Sequence, residues 1–167
     1  GFKPVTTTRT KRHLRTKQAI LDAARAIIAE EGPAALSMRA LADRIDYSAA
    51  GLYEYFGSKE EIVAAVCEEG QHYLYDAMSA ADPGLPPVDY LHQIGLAYIG
   101  FALEHPDYFL LMFTVAPPPN IAAVPEEVVK EAMHAEGSAY GILVQAIRRG
   151  IDEGAFPVRP GFGLDEM

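Results

Sequence analysis

Cysteine is almost missing from this chain: Cys67 is the only one in 167 residues. A disulfide framework is therefore excluded, and so is a Cys-rich zinc site. The five histidines, at positions 13, 72, 92, 105 and 134, do not fall at metal-ligand spacing, so no metal or other cofactor is expected. Long apolar runs are missing too. Tyr108 to Pro125 is uncharged for 18 residues, but Pro117, Pro118 and Pro119 break it. The apolar part, Tyr108 to Ala116, falls well short of the roughly 20 residues a membrane span needs. The first residues are charged and polar, unlike a secretory signal. None of G-x-S-x-G, a P-loop, H-E-x-x-H or G-x-G-x-x-G occurs, so no motif-bearing enzyme is expected. No β-hairpin signal and no internal repeat is present either.

Basic charge is also scarce, with 14 Lys/Arg against 23 Asp/Glu and a net charge of −9. On its face that argues against nucleic acid. The distribution says otherwise. Residues 1–59 balance at +4 and residues 60–167 at −13. Residues 1–17 hold six basic side chains and no acidic one. An asymmetry this sharp points to two parts with different partners.

Half the residues are hydrophobic, enough for a packed core, and their period is helical throughout. Residues 1–15 show no apolar period and read as a flexible basic arm. Ile20, Ala23, Ala24, Ile27 and Ile28 share one face of a helix predicted from about Thr16 to Glu31, with Gly32 and Pro33 to end it. Ser37 is an N-cap for a short second helix whose core positions are Met38, Leu41, Ala42 and Ile45. Asp46 and Tyr47 make a tight turn. Ser48 caps a third helix, with Leu52 and Phe56 inward and Gly57 at its end. Ser58 with Glu61 is a capping box that opens a fourth helix running to about Ala80. Beyond the Asp82–Pro87 loop, helices are predicted over Val88–Leu103, over Asp107–Val115, and from Pro125 or Glu126 to Asp152. The predicted fold is all-α, and two short helices joined by a tight turn within 37–56 have the form of a helix-turn-helix unit.

Ile20 to Val66 strongly resembles the TetR family of bacterial transcription regulators. The core of the likeness is Ser48-x-x-x-Leu52-Tyr53-x-Tyr55-Phe56-x-Ser58-Lys59-Glu60-Glu61. A looser likeness to the family's ligand-binding part lies in Phe101–Pro106 and in Arg149–Phe156. The resemblance implies an arm over 1–15, a DNA-binding domain over 16–61 and a helical effector-binding and dimerisation domain over 62–167. It implies a cytoplasmic homodimer on a palindromic double-stranded operator, a repressor released by a small-molecule effector. Family members carry two further long helices that build a dimer interface, and Gly163–Met167 stands about where the first is expected.

Physical chemistry gives the matched residues their roles. The third helix of such a unit enters the major groove while the second crosses the backbone. Ala49, Ala50 and Gly51 make its first turn thin. Ser37 and Arg39 at the start of the second helix, Ser48, the hydroxyls of Tyr53 and Tyr55, and Lys59 are expected at phosphates, as are Arg9, Lys11 and Arg12 of the arm. Asp46 stands where the family usually has Gly, and Asp tolerates the left-handed turn. Tyr47 replaces the usual aliphatic residue. No Lys or Arg lies between Ser48 and Phe56, so few direct base contacts are expected. For the effector, Tyr98, Phe101, His105, Phe109, Phe113, Met133 and Tyr140 are the candidate lining, which suits an apolar or aromatic ligand with one or two polar groups. Two other classes stand beside this one: a helical interaction module with a basic tail, and a cofactor-independent helical enzyme.

Overall fold

In the computed structural model the described residues are 7–114, 127, 131 and 137–157. Among them every regular element is helical. They are α1 (Thr8–Glu31), a 3₁₀ turn (Pro33–Ala35), α2 (Met38–Arg44), α3 (Ala49–Leu52), α4 (Lys59–Ser79), α5 (Pro87–Glu104), α6 (Pro106–Thr114) and α7 (Ala139–Asp152). Two compact units divide them. The first holds residues up to 68 together with 110–114, and the second holds 69–109 and the described residues after 115. The division falls inside α4 and inside α6.

The first unit differs from expectation at its start. Residues 8–15 are not a flexible arm: α1 begins at Thr8, eight residues before Thr16. Thr7 caps it, its Oγ1 accepting from the Thr10 amide at 3.3 Å. The period could not show this extension, because Thr8 to Arg15 are all exposed and bury no apolar face. Once a helix is nucleated further along, each added residue costs little, and Leu, Arg and Lys are good helix formers. Residues 1–6 lie outside the described residues.

The rest of α1 follows its apolar stripe. Ile20, Ala23, Ala24, Ile27 and Ile28 are all buried. Gly32, at φ 87°, ends the helix in a conformation that disfavours any residue with a Cβ. Leu36, Leu41, Ala42, Leu52, Phe56, Ile62, Val66 and Leu111 are also buried in this unit. Burying a side chain such as Leu41 or Leu52 contributes about 1.5–3 kcal/mol. Met38 and Ile45 were expected in the core and are only half-buried. Arg44 braces α2 to α1 through a two-pronged pair with Glu30, at 2.6 and 2.7 Å. That pair holds the Glu30 carboxyl below its ordinary range.

The second unit is built on α5 and α7, which pack against each other. Ile94 and Phe101 of α5 and Ala139, Val144 and Ala146 of α7 are buried. Of the helix predicted from 125 or 126 through Asp152, residues 125–136 lie outside the described residues apart from 127 and 131, and α7 starts at Ala139. Gly137 at φ 93° breaks the chain direction and Ser138 caps the new helix, accepting from the Gly141 amide at 2.8 Å. Arg149 fixes the loop before α5: its guanidinium donates to the carbonyls of Pro83 and Leu85 at 2.7 and 2.9 Å and pairs with Glu153. Phe156 folds back over Gly150, where a Cβ would clash with its ring. The Arg149–Phe156 segment is thus a structural clamp. On its opposite face α5 exposes Val88, Leu96, Ile99 and Leu103.

Candidate nucleic-acid interface

The α2–α3 region is set by two serine caps and one left-handed residue. The Ser37 hydroxyl accepts from the Ala40 amide at 3.0 Å, which starts α2. Asp46 has φ 54°, alone among the described non-glycine residues in being positive, and the Tyr47 amide returns to the Ala42 carbonyl at 2.9 Å. This is the sharp reversal that Asp was expected to tolerate. Ser48 then accepts from the Gly51 amide at 2.9 Å. Both serines keep a hydroxyl proton to donate.

α3 is shorter than predicted. It is regular only over Ala49–Leu52, and residues 53–55 continue as turns before Phe56. The Phe56 amide still bonds to the Leu52 carbonyl, so Leu52 and Phe56 both reach the core. That burial turns the opposite side outward. Ala49, Ala50 and Tyr53 are exposed, Tyr53 to 54%. Gly51 has a structural reason as well as a steric one: a Cβ there would come within 2.9 Å of the Tyr47 ring. The capping box is also displaced by one residue. Ser58 accepts from the Glu61 amide, but the Glu61 carboxylate accepts from Gly57 rather than Ser58. Lys59 is half-buried in the first turn of α4, and Arg39 is exposed on α2.

Arg9, Lys11, Arg12 and Arg15 are all exposed, but on a helix. Tyr55 is half-buried rather than free. Its ring stacks on His13 at 4.7 Å and meets Tyr47 edge-on at 6.3 Å. The Tyr47–Tyr55 hydrogen bond pushes the Tyr47 phenol up; together with Thr16 it holds the Tyr55 phenol below its ordinary value. Lys17 lies 5.1 Å over the Phe56 ring. His13 was not anticipated as part of this site. Its signal was its spacing: 13, 16 and 17 continue the inward stripe of α1 from Ile20 in polar residues.

The second unit places the candidate effector residues differently. His105, the C-cap of α5, lies among rings: Tyr73 at 5.7 Å, Phe101 at 5.5 Å and Tyr108 at 6.0 Å. Tyr98 meets Phe109 edge-on at 5.7 Å. Phe101 is buried, and Tyr98, His105, Phe109 and Tyr140 are half-buried. Phe113 is 52% exposed and falls in the first unit. Met133 lies outside the described residues. The centre of the cluster is Tyr108, 1% exposed, whose hydroxyl donates to Glu69 at 3.0 Å. Sequence reasoning passed over it because one buried tyrosine in an apolar helix carries no motif.

Short helices joined by a tight left-handed turn, with a thin exposed third helix, define a helix-turn-helix protein. Comparison with known proteins makes this more specific. Residues 20–66 match the family described as bacterial regulatory proteins, tetR family, and residues 91–161 match a tetracyclin repressor-like C-terminal domain. The chain belongs to the TetR family. It is 28% identical over 94 residues to YobS of Bacillus subtilis, described as an uncharacterized HTH-type transcriptional regulator. That match covers 56% of this chain and 49% of YobS, so the chain spans about half of that relative. The crystal structure of PfmR, a TetR family transcriptional regulator from Thermus thermophilus, is similar over 93% of this chain and 77% of its own, at 28% identity and a TM-score of 0.65. A tetR family regulatory protein from Rhodococcus RHA1 shares the fold at a TM-score of 0.67, over 85% of this chain and 73% of its own, at 22% identity.

Proposed function

We propose that this chain is a transcription regulator that binds double-stranded DNA through its first unit. The observation that carries the reading is the exposed face of the helix-turn-helix. Ser37 and Arg39 on α2, Ser48, Ala49 and Ala50 at the start of α3, and Tyr53 beyond it are all exposed, while Leu41, Leu52 and Phe56 anchor the unit from behind. Small side chains at the first turn of α3 let the backbone approach the groove floor. The Arg39 guanidinium, the Lys59 ammonium and the hydroxyls around them are phosphate donors. Arg9, Lys11 and Arg12 add charge from α1, and each neutralised phosphate steepens the salt dependence.

The working species is a homodimer on an inverted repeat, with half-sites about one helical turn or somewhat more apart, because both third helices meet the same face of the duplex. The second unit takes a small apolar or aromatic effector near the rings of Tyr98, His105, Phe109 and Tyr140, and the effector releases the DNA. A tenfold loss of DNA affinity requires about 1.4 kcal/mol of coupling, which the effector supplies by binding the released state more tightly. The test is selection of DNA fragments by the purified chain, followed by a thermal-shift screen of small molecules. Enrichment of an inverted repeat supports the reading, and recovery of fragments without one removes it. Molecules that raise Tm yet leave DNA affinity unchanged overturn the release mechanism and spare the DNA-binding one.

A further inference from the structure

We propose that His13 and Tyr55 form a clasp that fixes the first turns of α1 beside α3, so that Arg9 and Arg12 meet the DNA backbone as one rigid group with the helix-turn-helix. The proposal rests on the DNA-binding reading and adds to it the residues that position the basic face. Thr8 to Arg15 bury no apolar side chain, so nothing hydrophobic holds this end of α1 down. Helix ends of that kind fray. What stands against fraying is polar and aromatic. The Thr7 cap closes the first turn, and His13 stacks on Tyr55 with ring centroids 4.7 Å apart and planes 28° apart.

Tyr55 is itself held from several sides. Tyr47 meets its ring edge-on, and hydrogen bonding with Tyr47 and Thr16 ties its hydroxyl. Tyr47 in turn packs over Gly51, where only glycine leaves room for its ring. The line therefore runs from the first turn of α3 through Tyr47 and Tyr55 to His13 on α1. In this arrangement Tyr55 is a positioning residue, and Tyr53, exposed beside it, is the tyrosine free to reach a phosphate. A basic face held in place loses less freedom on binding than a flexible arm does.

Trypsin reads the clasp without DNA, because Arg9, Lys11, Arg12 and Arg15 all lie in the turns concerned. In the intact native chain, cleavage after these residues follows the population in which the end of α1 has opened. Losing an aromatic stack is expected to raise that population about threefold to tenfold. His13→Ala should be cut faster by that factor, and His13→Phe, which keeps a ring to stack, should be cut within about twofold of the parent. Cleavage of His13→Ala at the parent rate overturns the clasp, as does His13→Phe being cut as fast as His13→Ala. With DNA, His13→Ala should flatten the slope of log affinity against log salt by about one to two units, and His13→Phe should restore it. A slope unmoved by His13→Ala overturns the role of the clasp in presenting Arg9 and Arg12. A parent chain that selects no DNA, with the cleavage pattern as expected, leaves the clasp in place and removes the DNA-binding reading instead.

Discussion

The two units use their side chains in opposite ways. In the first, most of the candidate DNA-contacting residues face outward, and the unit is held by serine caps, one left-handed aspartate and a core that includes Leu52 and Phe56 of the motif. Ser37, Arg39, Ala49 and Tyr53 are exposed while Leu41 and Leu52 are fully buried. In the second, residues singled out for an effector pack on one another, Tyr98 on Phe109 and Phe101 on His105, and Phe101 is itself core. The proposed DNA contacts at Arg39, Ala49 and Tyr53 are therefore separable from folding residues in the first unit, while Ser37 and Ser48 also cap helices. In the second the proposed effector residues and the folding residues overlap, so a substitution there should move stability and any ligand response together.

The largest effect that would sharpen this contrast is in the second unit. Phe101→Ala removes a buried ring and should cost about 3–5 kcal/mol. Urea unfolding reads it, and a loss under 1 kcal/mol would show that Phe101 lines open space instead. Gly150→Ala should cost somewhat less, about 2–3 kcal/mol, because its Cβ meets the Phe156 ring. The double variant with Phe156→Ala should relieve the clash, and equal loss in single and double variants would contradict it.

In the first unit, Ser37→Ala should cost about 1 kcal/mol by leaving the Ala40 amide without its cap. Arg39→Ala, on the same helix, should leave stability within about 0.5 kcal/mol while lowering DNA affinity severalfold. A large fall in Tm for Arg39→Ala would erase the separation of roles. The smallest effect concerns Glu30, whose folded pKa is depressed by Arg44. A depressed folded pKa means that the contribution is present above the unfolded carboxylate pKa and is lost as pH falls through the folded value. Chemical denaturation across the acid range should show this small loss, and Glu30→Gln should abolish it.

Apolar spacing and end signals carried most of the helical plan. The stripe from Ile20 to Ile28, the caps at Ser37 and Ser48 and the turn at Asp46 were legible because each has a local physical cause. Two boundaries were not. The start of α1 has no apolar face to announce it, and the break at Gly137–Ser138 lies in a segment whose Gly-Ser pair is as common in loops as at caps. Site residues divide in the same way. Exposure of Tyr53 follows from Leu52 and Phe56 pointing inward, a matter of spacing. The stack of His13 on Tyr55 and the bond from Tyr108 to Glu69 join residues far apart in the chain, and no local pattern encodes them.

Salt dependence of binding to a selected inverted repeat tests the central claim most directly. Fluorescence anisotropy of the intact chain with that duplex, measured between about 50 and 200 mM salt, gives the slope of log affinity against log salt. Contacts from α1, α2 and the start of α4 on a duplex should produce a steep fall, with a slope of several units. Arg39→Ala should reduce that slope by about one unit. A flat profile, or one that Arg39→Ala leaves unchanged, would contradict the account of the first unit as the DNA-binding surface.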